Sequence, residues 1–429
     1  YYGSSNTLHP SASDKIKGNT LNVKARNVAV DKVKNFETYK FFLHANTPQE
    51  ATMLTIAQDG FGGRTARLDT DITLDADKLA AWSEANKSNI FTRVALIKSG
   101  VTGALKLSGR EVYNGASDGL ERALLADDSA VLNNGTVEAT SLYLRMNRFK
   151  DGRHAYDGSK APVTESSAKE VYGGISYYGN KTENNELTVT GTQGGGTLDA
   201  AYAGKTAGTA GGSENNTVNV ELENGKITDV YGGFIKDAAN GAVVTGNHVN
   251  MKKGEAKNLS GGYTSGTGDV TKNDVTVTDG TVTGDVRGGH TAGAGNVSEN
   301  EIRITGGSVT GDVRGGHTTG AGKVSENAAR ITGGTVTGDV SGGYTAGTGD
   351  VTKNDARITG GSVTGDVRGG YTTGAGNVSE NDVAVTGGTV TGNVYGGYTT
   401  GTGDVTGGSV TLTGGTITGD VYGGYTTGM

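Results

Sequence analysis

From about residue 263 onward, apolar and polar positions repeat every 27 residues. One valine column runs Val270, Val297, Val324, Val351, Val378 and Val405. A second runs Val275, Ile302, Ala329, Ala356, Val383 and Val410, and a third Val277, Ile304, Ile331, Ile358, Val385 and Leu412. Val282 to Ile417 and Val286 to Val421 form two more. A fixed period over this length marks one supersecondary unit copied and stacked, not a domain around one closed core. Within a copy the apolar residues alternate with polar ones in short β-prone runs: 273–277, 281–283 and 286–290. Glycines at 280, 284, 293 and 295 separate them, supplying turns or close backbone approach. Three strands per coil predict an all-β parallel β-helix (β-solenoid), with coils about 4.8 Å apart. Parallel crossovers are overwhelmingly right-handed, so a right-handed β-helix is expected.

Alternation places all five apolar columns on the inside. Each such side chain contributes about 1.5–3 kcal/mol when buried. Ordering 27 residues costs roughly 1–2 kcal/mol each, so one coil cannot stand alone. Stability must come from stacked neighbours.

Two further columns accompany the valines. Asn273, Asn300, Asn327, Asn354 and Asn381 are expected to bond copy to copy from an αL turn, with Asn247, Asn216, Asn185 and Asn19 as looser copies. A Gly-Gly pair precedes each of Tyr263, His290, His317, Tyr344, Tyr371, Tyr398 and Tyr425. That mark continues backward through Phe234, a degraded form at Tyr202, and Ile175. The regular solenoid is therefore expected over residues 161–429, in about ten coils, with a partial coil at 1–35. Residues 36–160 break the pattern. Strands are expected at Met53–Ala57, Ile72–Leu74 and Phe91–Lys98, a helix capped by Asp75-Ala76-Asp77 and carrying Leu79 and Trp82, and a second helix over Asp118–Leu125. The segment reads as an inserted α+β module or as atypical coils with large loops.

Composition narrows the classes. The 429 residues include 76 Gly, 3 Pro and no Cys, so no disulfide framework exists. The glycine period is not three, which excludes collagen. A net charge of −7 argues against nucleic acid as a partner. No apolar run is long enough for a spanning helix. No signal peptide is evident; Tyr1-Tyr2-Gly3-Ser4 has the look of a repeat tail, and the chain stops mid-repeat, so both ends read as cut from something longer.

The Val-Tyr-Gly-Gly-Tyr-Thr marks at 394–399 and 421–426, with Gly-Gly-Thr-Val-Thr-Gly-Asp-Val between such marks, resemble passenger regions of Gram-negative autotransporter adhesins. The run from Phe36 to Leu43, followed by Thr52 to Ile56, is similar to the aromatic segment that interrupts such passengers. The resemblance covers most of residues 161–429. It implies a secreted right-handed β-helix on the extracellular surface of a Gram-negative bacterium, used in adhesion or aggregation. It also implies a C-terminal outer-membrane barrel, which this sequence lacks, and an easier outer-membrane passage for a chain without cysteine.

Several constellations invite chemistry. Asp285, Asp312, Asp339, Asp366 and Asp420, with Asn393 between the last two, stack like carboxylates that need a cation or basic neighbour. Arg287, Arg314 and Arg368 lie two residues on and can supply one. Beside Ser341, Tyr395 and Tyr422 no Arg is present, and calcium becomes a candidate, with Asp339, Asp366 and Asp420 as metal-site residues. Plain turn chemistry at Gly-Asp is the competing and preferred reading. Thr281/Thr283 and their copies form outward hydroxyl ranks, which suit either a solvated β face or an ice-binding array. His290 and His317 read as substitutes in an aromatic ladder rather than as metal ligands. Lys272, Glu299, Glu326, Lys353 and Glu380 read as exposed cross-coil pairs. The irregular region holds Asp127, Asp128, Glu138, Arg145 and Arg148 without a spacing that defines a mechanism.

These readings converge on a non-enzymatic adhesive solenoid without an obligatory cofactor. Tyr344, Tyr371, Tyr398 and Tyr425 are the expected contact residues, facing in or out, for a host glycan, a protein receptor or a copy of the chain. A carbohydrate-active β-helix enzyme and an ice-binding solenoid are the alternatives.

Overall fold

A computed structural model describes residues 18–58, 60–159 and 169–428. The Tyr1–Ser4 mark and the expected boundary at 160/161 lie outside the described residues. The chain divides into two units, Tyr1–Arg148 and Phe149–Met429. Among the described residues no helix is long and apolar enough to cross a membrane.

In the second unit the chain is a parallel β-solenoid. One winding carries Val270–Thr271, Asp274–Val277, Thr281–Val282 and Val286–Thr291. Each strand pairs in parallel with its copy 27 residues on: Val270 with Val297, Val275 with Ile302, Val282 with Val309 and Val286 with Val313. Winding therefore lies on winding in register. The expectation of three strands per coil misses Val270–Thr271, whose copies form a separate nine-stranded sheet from Thr182–Glu183 to Val405–Thr406. Arg153–Tyr156 and Glu170–Ser176 precede it as an opening winding, so repeat architecture begins before residue 161.

The interior is divided, which the sequence pattern did not convey. Four apolar columns, those of Val275, Val277, Val282 and Val286, share one core. The Val270 column forms a second core with Ile235 and Val244. Between them stands the asparagine ladder. Asn300 Nδ2 donates to Asn327 Oδ1 at 2.9 Å, to Val270 O at 3.0 Å and to Ser298 O at 3.0 Å, while Asn300 N donates to Asn327 Oδ1 at 3.1 Å. The same set recurs from Asn247 to Asn354. A buried amide is tolerated because its hydrogen-bonding groups are met.

The second glycine of the Gly-Gly pairs as far as Gly369-Gly370 makes room for this ladder. A Cβ on Gly343 would sit 2.5 Å from Asn354 Cγ, and one on Gly370 2.5 Å from Asn381 Cγ. No other residue fits there.

Asn itself is not the left-handed residue. That conformation falls one position earlier, on Lys272, Glu299, Glu326, Lys353 and Glu380, with φ between 54° and 60°. Gly246 and Gly407 occupy the same place in other windings with φ 66°.

The first unit has mixed sheets. Thr20–Val23, Thr38–Phe41 and Ile72–Leu74 pair in parallel. So do Val28–Val30, Thr52–Ile56 and Phe91–Ser99, after which that sheet continues antiparallel through Ser141–Arg148, Leu120–Ala126 and Glu111–Ser117. Asp75 caps the helix Ala76–Ala85, as expected, and Trp82 is fully buried with its indole N–H on Thr47 O at 3.1 Å. The expected second helix at Asp118–Leu125 is instead a hairpin. Asp118 (φ 53°) and Gly119 (φ 74°) form the turn, and Leu120–Ala126 is a strand. The Asp-Gly hairpin signal outweighs the capping potential of Asp118.

Candidate functional site

Outward-facing residues of the Gly-Gly strand build the site. In Val367–Thr372 the Val367 and Thr372 side chains are buried, and Gly370 faces the Asn ladder. Tyr371 is half-buried, and Arg368, 7 % exposed, lies over the rings of Tyr371, Tyr395 and Tyr398. Register carries this pair along the solenoid. One column reads Tyr172, Tyr202, Tyr231, Ser260, Arg287, Arg314, Ser341, Arg368, Tyr395 and Tyr422. Its neighbour reads Ile175, Lys205, Phe234, Tyr263, His290, His317, Tyr344, Tyr371, Tyr398 and Tyr425. Tyr202 thus belongs beside the Gly-Gly-aromatic column, and Lys205 holds the place assigned to it. The four expected contact tyrosines lie on the outside: Tyr344, Tyr371 and Tyr398 half-buried and Tyr425 exposed.

The rings lie on one another. Tyr344–Tyr371 and Tyr371–Tyr398 centroids are each 5.1 Å apart, and Tyr398–Tyr425 5.7 Å. Both faces of Tyr371 are thereby covered, leaving edges and hydroxyls for a partner. Cations seat on the same rings. The Arg368 guanidinium lies 4.9 Å from the Tyr371 centroid and 5.2 Å from Tyr398, and Arg314 4.9 Å from Tyr344. Lys205 Nζ lies 4.2 Å from Tyr202 and pairs with Glu170 at 2.7 Å. Each such contact contributes about 0.5–2 kcal/mol.

His290 and His317 continue the ladder, stacked at 4.3 Å and 4°. Burial first, then the neighbouring Arg287 and Arg314, pushes His290 down to about 3. Burial, with His290 and the same arginines, holds His317 well below its ordinary value. Its Nδ1 accepts from Arg287 Nε at 3.1 Å, as a neutral imidazole can.

The aspartate column beside the strip is bonded at both oxygens where Arg is present. Asp339 Oδ1 accepts from Asp366 N at 2.8 Å, and its Oδ2 from Arg368 at 2.5 Å. Asp366 Oδ1 accepts from Asn393 N at 2.8 Å, and its Oδ2 from Arg368 at 2.5 Å. Arg368 so bridges two windings, compensating the Arg missing at Ser341. At Asp420 the carboxylate accepts from Tyr422 OH at 3.1 Å. Calcium at Asp339 or Asp366 would have to displace an arginine. Among the described residues no group of three or more His, Cys, Asp or Glu is placed to hold a metal ion.

Asp127, Glu138 and Arg148 of the irregular region each bond to different partners. Asp127 Oδ2 accepts from Thr140 N and Ser141 N, Arg148 donates to Lys87 O, and Glu138 accepts from Asn133 Nδ2. Sequence reasoning missed the Tyr172/Tyr231/Tyr395/Tyr422 column. Its signal is the residue before each Gly-Gly, which alternates among Tyr, Arg and Ser.

Fold and strip together define a repeat protein of the parallel β-solenoid class. No protein-family model, curated protein or solved structure matches the chain.

Proposed function

We propose that the chain is an adhesive β-solenoid displayed on the surface of a Gram-negative bacterium, and that the outward aromatic–arginine strip is its contact surface. It binds a host or bacterial glycan, or an extended protein segment, and its role is attachment rather than catalysis. The supporting observation is the register: two adjacent outward columns, one of Tyr, Arg and Ser and one of Tyr and His from Tyr263 on, run through successive windings. Tyrosine edges and hydroxyls suit polar, hydroxyl-rich partners, and a strip suits a polymer. The carboxylates alongside it are held by arginines and backbone amides in winding after winding, which fits a scaffold better than a single reaction centre. No bound metal is needed for this role.

Binding to a glycan array and to whole cells tests the reading. Tyr371→Ala with Tyr398→Ala should lower binding about tenfold or more while leaving the solenoid folded, as hot-spot aromatics do. Undiminished binding by that variant would remove the strip from the function. Reducing-sugar release on incubation with polysaccharide would favour the enzyme alternative. The exposed Thr335/Thr337 and Thr389/Thr391 ranks are the observation behind the ice-binding alternative, which thermal hysteresis would support.

A further inference from the structure

A different face carries a second message. The left-handed position accepts glycine, as Gly246 before Asn247 and Gly407 before Gly408 demonstrate, yet Lys272, Glu299, Glu326, Lys353 and Glu380 occupy it in five successive windings. A charged residue is strained there without serving the ladder, so its side chain needs another reason. Three residues earlier, across a half-buried Ser/Thr column (Ser298, Ser325, Ser379), lies a second charge column: Asp269, Asn296, Lys323, Asp350 and Asn377.

The two columns are sign-matched winding by winding. Lys272 goes with Asp269, Glu326 with Lys323, and Lys353 with Asp350, while Glu299 and Glu380 meet the neutral Asn296 and Asn377. Asp269 and Asp350 each turn one carboxylate oxygen to the next winding, Oδ1 accepting from Asn296 N at 2.8 Å and from Asn377 N at 2.9 Å, and neither has an ion pair among the described residues. Lys323 and Glu326 are both exposed, and neither has an ion pair among the described residues. Lys272 and Lys353 reach only Glu299 and Glu380, at 3.8 and 3.9 Å.

We propose that this face docks on the same face of a second copy of the chain, parallel and in register, about a two-fold axis running along the Ser/Thr column. Such a contact is isologous: each charge column of one copy lies on the other column of its partner. All three sign-matched pairs then form twice, and no like charges meet. A slip of one winding would set Glu326 on Asp350, Asp269 on Glu299 and Lys323 on Lys353. An antiparallel arrangement would set Glu326 on Glu326 and Lys323 on Lys323. The charge order therefore selects both direction and register. The inference goes beyond the proposed adhesion, uses none of the aromatic strip, and stands or falls separately from it.

The absence of cysteine makes the test clean. Ser298→Cys, Ser325→Cys and Ser379→Cys are made singly in the full chain, with Thr283→Cys on another face as the collision control, and oxidised at low salt. The expected result is disulfide-linked dimer from all three and not from the control. Raising salt from about 50 to 500 mM should cut the yield about tenfold, since exposed pairs are screened. Lys323→Glu should cut it comparably, and Lys323→Glu with Glu326→Lys should restore it. Cross-linking at Ser325 alone would mean antiparallel docking and overturn the proposal. So would no cross-linking, or cross-linking indifferent to salt and to Lys323→Glu.

Discussion

The two units hold themselves together in opposite ways. Around Trp82, Tyr39, Phe41 and Met53 the first unit concentrates large side chains from distant parts of the chain in one core. The solenoid uses small ones, Val and Ile, repeated at every winding, and runs a polar ladder between two narrow cores. A compact core keeps its vulnerability in a few bulky residues. A stacked one keeps it in the glycine and asparagine that permit stacking, because an error there cannot be relieved by a neighbour that repeats the same geometry.

The sharpest way to break this contrast is to remove a ladder amide. Asn327→Leu strands the buried N–H of Asn300 and takes one further hydrogen bond each from Asn300 Nδ2, Val297 O and Ser325 O. At about 1–3 kcal/mol for the unmet N–H and about 0.5–1.5 kcal/mol for each other bond lost, a local loss of about 3–7 kcal/mol is expected. Hydrogen exchange should show lost protection in the adjoining windings and none in the first unit. Trp82→Ala is the counterpart, expected to cost about 3–5 kcal/mol by leaving a cavity. Its exchange signature should stay within residues 18–148; a solenoid that loosens with it would contradict the separation of the two cores.

Acid separates the units next. Folded His290 stays neutral to about pH 3, whereas an unfolded histidine takes up a proton near 6.5. His290 therefore supports the fold fully above about 6.5 and withdraws support as pH falls towards 3, and His317, also held well below its ordinary value by burial, acts in the same direction. His290→Tyr with His317→Tyr, which restores the residue used elsewhere in the column, should raise the melting temperature at pH 4 and change it little at pH 8. An unaltered acid limb would remove the pair from the account. The smallest effect is expected at Glu326→Gly. Relief of its φ of 60°, partly offset by glycine's entropy, should stabilise by about 0.5–1 kcal/mol in denaturant titration.

Much of the solenoid was legible because each position is written several times. Val282 over Val309 and Asn300 over Asn327 follow from adding 27 to the number. The divided interior was hidden, since alternation tells inside from outside but not one core from another. The left-handed position was misplaced by one residue for a similar reason: Asn is the usual occupant, and only coordinates reveal that its amide is committed to the ladder while Lys272 or Glu299 takes the strain. In the first unit nothing repeats, and Asp118 was read as a cap where it is a hairpin turn. At the site the tyrosines were found but not their direction. Arg368 was read as a basic neighbour of the aspartate column, but not its reach back to Asp339 of the winding before.

Cysteine pairing on adjacent windings tests the stacking most directly. Thr335→Cys with Ser362→Cys places thiols on register partners one winding apart, and Thr335→Cys with Thr389→Cys separates them by two. Mild oxidation should close an intramolecular bond in the first variant and leave the second reduced. Closure of the second and not the first would mean that the windings do not lie on one another as described.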